Sequence, residues 1–176
     1  ADSTLSVPAV KDKKYGEEAF KLEVSNKGDG VKSYASSNDK VVTVDKKGVV
    51  TIVGAGTATL TVSLAQSANY TADQKEVTIT VAPKEITVKI TPNGGIYEGT
   101  ITPATAVLNG LVGKDNPEVT LTYTGKANDG TEVNGTKVPS LAGIYTVTAT
   151  IKDKNYSLKP EGSSAEFVVA LSLIHI

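Results

Sequence analysis

From Thr57 to Leu64 the chain alternates without a break: Ala58, Leu60, Val62 and Leu64 interleave with Thr57, Thr59, Thr61 and Ser63. A period of two puts all four apolar side chains on one face of an extended strand. On a helix of 3.6 residues per turn the same side chains would scatter around the axis. The segment therefore has one dry face and one wet face, and the dry face needs a second layer to cover it. Val42 and Val44 flank Thr43, and Val50 and Ile52 flank Thr51, which gives two shorter strands of the same kind. Between them, Asp45-Lys46-Lys47-Gly48 predicts a tight hairpin turn. The Asp side chain accepts from the backbone it precedes, and Gly48 supplies a positive φ. Gly54-Ala55-Gly56 then re-aims the chain into the long strand.

The same reading extends over the remainder of the first half. Thr4 to Val7 opens as a strand broken by Pro8, and Lys11 to Glu18 reads as a charged loop around Tyr15-Gly16. Phe20 to Val24 alternates, Asn26 to Gly30 is a turn by composition, and Val31 to Ala35 is the next strand. Ala65 to Gln74 is a loop holding Asn69-Tyr70, and Val77, Ile79 and Val81 mark a closing strand. About seven strands with turn signals between them predict an immunoglobulin-like sandwich.

Pro83-Lys84 is the expected boundary, because proline cannot donate to a sheet ladder and the alternation restarts at Ile86, Val88 and Ile90. The second half supplies Ala106 to Leu108, Val119-Leu121-Tyr123, Tyr145-Val147-Ala149-Ile151 and Phe167-Val168-Val169. Gly56 to Thr61 with Asn69-Tyr70 corresponds to Gly143 to Thr148 with Asn155-Tyr156, and Tyr15-Gly16 to Tyr97-Glu98-Gly99. Two related units at this spacing predict an array of domains, since solenoid repeats are much shorter. The expected organisation is all-β: two tandem immunoglobulin-like antiparallel β-sandwiches, over 1–82 and 83–170. The short linker predicts a restricted, end-to-end arrangement.

A family resemblance enters on these residues. Ser36-Ser37-Asn38, Val42-Thr43-Val44-Asp45 and Gly54-Ala55-Gly56-Thr57-Ala58-Thr59-Leu60 together resemble the bacterial immunoglobulin-like (Big-type) repeat of surface and secreted proteins. The span from Ile96 to Val169, with Leu121 to Gly125 and Ala142 to Ala149, is similar to another such repeat but lacks the Val-x-Val-Asp hairpin. The resemblance implies an extracellular or cell-surface setting and a structural part. It implies no active site, because the family holds none in common.

Composition narrows the function from the other side. All 18 basic residues are Lys, against 19 acidic ones. Nucleic-acid binders carry a clustered basic face, so lysines scattered among carboxylates predict no nucleic-acid partner. No apolar run approaches the ~20 residues of a membrane helix, so no membrane insertion is expected. Cysteine is absent, which removes disulfides, thiolate metal sites and cysteine nucleophiles. Methionine is absent too and the chain begins with Ala, so the sequence reads as an internal fragment.

Little chemistry is left. The one histidine, His175, lies in Leu171 to Ile176, a hexapeptide similar to the translation of a transposase adapter used in sequencing libraries. That tail (171–176) reads as foreign, with the natural chain continuing past Ala170 into a further repeat. Without His175, Ser-His-Asp catalysis and histidine metal sites lose their key member. Glu17, Glu18, Asp115, Glu118, Asp129 and Glu132 are the carboxylates that could do acid–base work, yet all fall in polar loops where solvated charge is the ordinary state. Asp115-Asn116 and Asn128-Asp129-Gly130 offer hard oxygens for calcium without EF-hand spacing, and read as turns. Tyr70 and Tyr156 could stack on sugars, but their matching positions read as packing at the sandwich ends. Three glycosylation sequons, at Asn69, Asn134 and Asn155, read as accidental in a bacterial chain. The closing strands hold no Asn, so no Lys–Asn cross-link is expected.

No catalytic, cofactor-binding or metal residue is therefore assigned, and no cofactor is expected. The expected role is a non-catalytic stalk or spacer of a surface or secreted protein, with a part in cell adhesion. The alternative is an accessory spacer or weak carbohydrate-binding module of a secreted glycoside hydrolase. Expected partners are neighbouring repeats of the same chain and a host or cell-wall glycan or protein, with the chain itself a monomer.

Overall fold

The computed structural model describes residues 1–172. Most of the foreign-looking hexapeptide, His175 included, lies outside the described residues, while Leu171 is exposed and follows the last strand. All regular structure among the described residues is β, and the backbone divides into Ala1–Lys84 and a second unit that starts at Glu85.

The first unit contains β1 (Thr4–Ser6), β2 (Lys13–Lys14), β3 (Phe20–Lys21), β4 (Ser25–Lys27), β5 (Lys32–Ser36), β6 (Val42–Val44), β7 (Val49–Ile52), β8 (Gly56–Leu64) and β9 (Asp73–Ala82). One sheet runs β2-β9-β8-β5, a second runs β3-β7-β6, and β1 pairs with β4. The long strand behaves as its alternation dictates: Ala58, Leu60, Val62 and Leu64 are all buried. It pairs along its whole length with β9, whose Val77, Ile79 and Val81 are buried on the same face. Val42 and Val50 meet them from the three-stranded sheet, and Leu5 and Leu22 complete the cluster.

Three expectations need correction here. The charged loop of Lys11 to Glu18 contains β2, which pairs in parallel with Val81 and Ala82. The turn placed at Asn26 to Gly30 begins inside β4, whose partner is β1. Strands of two or three residues, exposed and polar as Ser25–Lys27 is, carry no periodicity for a sequence pattern to reveal. Conversely, the strand expected over Phe20 to Val24 contracts to Phe20–Lys21. Leu22 still donates its N–H to the Gly48 carbonyl at 2.8 Å.

The hairpin turn forms as its residues dictate. Asp45 Oδ1 accepts from the N–H groups of Lys47 and Val49, each at 2.8 Å, and Gly48 has φ +77°. These two bonds, the Val49 one first, hold the Asp45 carboxyl below its ordinary range.

β10 (Lys84–Thr91) begins on the last residue of the first unit and otherwise belongs to the second, which also contains β11 (Gly95–Ile96), β12 (Thr105–Asn109), β13 (Val119–Ala127), β14 (Glu132–Gly135), β15 (Gly143–Ile151), β16 (Tyr156–Leu158) and β17 (Ser164–Ala170). Its five-stranded sheet runs β11-β17-β15-β13-β14 and its three-stranded sheet runs β12-β10-β16. The core between them is more aromatic than that of the first unit. Phe167 meets Tyr123 edge-on with ring centroids 5.8 Å apart, and lies 5.7 Å from Tyr145. Both buried phenols are satisfied. Tyr145 donates to the Leu141 carbonyl at 2.9 Å, and Tyr123 accepts from the Ala104 N–H at 3.1 Å.

The two units share one local device. In the first, β2 lies parallel to the end of β9 and Tyr15 N–H donates to the Ala82 carbonyl at 2.9 Å. In the second, β11 lies parallel to the end of β17 and Tyr97 N–H donates to the Ala170 carbonyl at 2.7 Å. A tight turn follows each time, closed by Glu17 N–H on the Lys14 carbonyl and by Gly99 N–H on the Ile96 carbonyl. The third turn residue has positive φ in both: Gly16 at 87° and Glu98 at 61°. The structural partner of Gly16 is thus Glu98, not the Gly99 beside it.

Candidate functional site

The first unit carries an open cleft of about 590 Å³. Its walls come from separate parts of the chain. Lys21 and Glu23 lie on and after β3, Ser6 and Ser25 lie on β1 and β4, and Lys32 and Tyr34 lie on β5. Lys46 and Lys47 project from the Asp45 turn. β5 is an edge of the four-stranded sheet and β3 an edge of the three-stranded one. Tyr34 is half-buried, packs against the apolar core, and lies over Gly48.

Charge in the cleft is unbalanced. Four lysines face one carboxylate, Glu23, and all five are exposed. None of the four makes an ion pair among the described residues; the Lys13–Glu17 pair at 3.5 Å lies outside the cleft. Lys32 Nζ donates to Asn26 Oδ1 at 3.1 Å. Asp45, two residues before Lys47 in the chain, accepts two backbone N–H groups, and the charge of Lys47 also acts on it. Sequence reasoning treated these lysines as dispersed, because they are far apart in the chain and only the topology gathers them.

The carboxylates singled out from the sequence do not converge on a common point. Glu17 and Glu18 are exposed beside β2, Glu118 and Glu132 are exposed in the second unit, and Asp129 is exposed in its turn. Asp129 Oδ1 accepts from Thr131 N–H at 2.9 Å, which with the Thr131 side chain lowers its carboxyl below the ordinary range. That is turn chemistry at Asn128-Asp129-Gly130, where Gly130 has φ 91°. Among the described residues, no three of His, Cys, Asp and Glu gather to hold a metal.

Asp115 is the exception to solvated charge. It is half-buried and accepts the Tyr156 hydroxyl at 2.5 Å, while that oxygen accepts from Val112 N–H at 2.9 Å. Burial first, and then the bond to Asp115, push the Tyr156 phenol above its ordinary value. Tyr156 is 4% exposed and offers no ring face to a sugar. Tyr70, its counterpart in the sequence, is half-buried in a loop instead, where its N–H donates to Ser67 Oγ at 3.1 Å. The two diverge because Tyr156 opens β16, which pairs with β10, whereas no strand starts at Tyr70. Ser67 Oγ in turn donates to Asp29, a contact that lowers the Asp29 carboxyl below its ordinary range.

Comparison with known families gives two matches, one in each unit. Residues 15–66 match the family model described as intimin, immunoglobulin-like domain, and residues 94–170 match that of the MBG domain. Both are immunoglobulin-like modules of bacterial surface proteins. Among solved structures the chain is similar to mouse protocadherin-24 EC1-3 at 14% identity, covering 92% of this chain and 66% of that one, with a TM-score of 0.32. No curated protein matches the chain.

Proposed function

We propose that this chain, an intimin-type immunoglobulin-like module followed by an MBG module, is a non-catalytic stretch of a bacterial cell-surface or secreted protein. It acts as a stalk or spacer and takes part in adhesion. The observation that carries the reading is that two different families, both of surface-protein modules, match the two halves. The geometry supports it as well. Each unit closes an apolar core, and the carboxylates with acid–base potential do not converge on a common point among the described residues. An antiserum raised against the 176-residue chain tests the placement. Applied to a strain that carries the gene, it is expected to label intact cells or the culture medium, and brief protease treatment of intact cells is expected to abolish the cell-bound signal. Labelling that appears only after lysis contradicts the reading.

A further inference from the structure

The four lysines of the first unit's cleft form no ion pair among the described residues. Like charges brought together repel, and a bound anion would offset that repulsion. Lys21, Lys32, Lys46 and Lys47 reach the cleft from β3, β5 and the β6–β7 turn, in a chain whose formal net charge is −1. A concave surface lined by one sign of charge concentrates its field and raises the local concentration of the opposite ion. The volume, about 590 Å³, is that of a small-molecule site, while the open form suits a segment of a longer chain.

The lining narrows the class of anion. The chain has no arginine, so no planar fork recognises a single phosphate or carboxylate in two-point fashion. Lysine ammoniums are point charges on flexible stems, and several of them suit an anion whose charge recurs along its length. Between them, Ser6 and Ser25 offer hydroxyl groups, and Tyr34 offers part of an aromatic ring. Hydroxyl-bearing and weakly apolar surface flanked by cations matches a sugar ring that carries acid groups.

We infer that this cleft binds an acidic oligosaccharide, with its carboxylate or sulfate groups against Lys21, Lys32, Lys46 and Lys47 and a sugar ring beside Tyr34. This deepens the adhesive part of the proposed function and rests on it only for the setting outside the cell. Its charged contacts lie on exposed lysines, so binding weakens as salt is raised. The turn lysines are the residues to change. Lys46 and Lys47 are exposed, and the Lys47 N–H that holds Asp45 belongs to the backbone, which substitution leaves in place.

The test titrates the whole chain with three hexasaccharides by calorimetry: an oligogalacturonate, a heparin fragment and neutral cellohexaose. Hexaglutamate and a hexathymidylate strand serve as acidic non-sugars. Saturable, salt-sensitive binding of an acidic sugar is expected, with the carboxylated and sulfated arms showing which acid group is preferred. Lys46→Glu with Lys47→Glu should weaken it about tenfold or more, an energy of ~1.4 kcal/mol. Lys154→Glu, in the second unit, should leave it unchanged. Amide hydrogen exchange of β6 and β7 confirms that the double variant is folded. The inference falls if no acidic sugar binds, if cellohexaose binds as tightly, or if hexaglutamate or hexathymidylate binds as tightly. It also falls if the folded double variant keeps its affinity. A chain that labels the cell surface but binds no acidic sugar overturns the site and leaves the spacer role standing.

Discussion

Tyr34 lies on Gly48: a Cβ built at residue 48 would stand 3.0 Å from the Tyr34 Cζ and 3.1 Å from its hydroxyl oxygen. The contact joins β5 of one sheet to the hairpin of the other, and it depends on residue 48 having no side chain. Gly48 also holds φ +77°, where an L residue is strained. Gly48→Ala is therefore expected to destabilise the first unit by about 2 kcal/mol from both causes. Hydrogen exchange of β6, β7 and β8 amides measures it unit by unit. Repeating the substitution on Tyr34→Ala should recover only the steric part, which a double-mutant cycle isolates.

The shared turn gives a prediction of opposite sign in the two units. Gly16 occupies the positive-φ position without strain, whereas Glu98 occupies it at 61° with a side chain. Gly16→Ala should destabilise the first unit by about 1 kcal/mol. Glu98→Gly should stabilise the second by up to about 1 kcal/mol, with part of the gain returned to the more flexible unfolded chain. Urea unfolding followed through unit-specific amide signals distinguishes them. Destabilisation by Glu98→Gly would mean that the side chain of Glu98 matters more than its backbone strain.

Tyr156→Phe removes the donor to Asp115 and the acceptor of Val112 N–H together. Leaving two partly buried groups without this partner is expected to cost about 1–3 kcal/mol in the second unit. The folded Tyr156 phenol titrates above its ordinary value of 10.0, so the folded state keeps a proton that the unfolded state releases. Its contribution is thus complete below pH 10 and is lost as pH rises through the folded value. The alkaline unfolding midpoint should consequently be less steep in pH for Tyr156→Phe than for the parent chain.

Acid has the reverse sign. Asp29, Asp45 and Asp129 all titrate below the ordinary 3.8, so stability from them is present above that value and is lost as pH falls through their folded values. Asp45→Asn keeps an oxygen for the Lys47 and Val49 N–H groups and removes the titration. Acid unfolding of the first unit, followed by circular dichroism, should then depend less on pH below 4 in the variant, ~4 being the ordinary carboxyl value. An unchanged acid profile would show that the turn carries none of the pH dependence.

Long strands were readable from the sequence because alternation over eight or nine residues has one physical meaning. β8 and β9 bury the faces that their pattern names, and Asp45 and Gly48 make the turn that their chemistry favours. Two-residue strands were not readable, since Lys13–Lys14 and Gly95–Ile96 owe their conformation to a distant partner strand. The sequence does not single out Glu98 as the turn partner of Gly16 because φ > 0 normally calls for glycine. The basic cleft was hidden for a different reason. Lys21, Lys32 and Lys46-Lys47 belong to separate segments, and charge clustering in space leaves no trace in local composition.

The pairing of Tyr15 with Ala82, and of Tyr97 with Ala170, has a mechanical meaning. In each unit a segment near the start of the module runs parallel to its last strand, and the pair is fastened by β2 on β9 or by β11 on β17. β1 precedes β2 and β10 precedes β11, so tension reaches each pair through those strands; where it passes along the paired segment and leaves through the last strand, it pulls the pair in opposite directions along its length. The hydrogen bonds are then loaded together, in shear, where an antiparallel hairpin pulled from its open end would yield them one at a time. Under load the unfolding rate sets survival, so a few well-placed bonds can resist far more than their share of equilibrium stability implies.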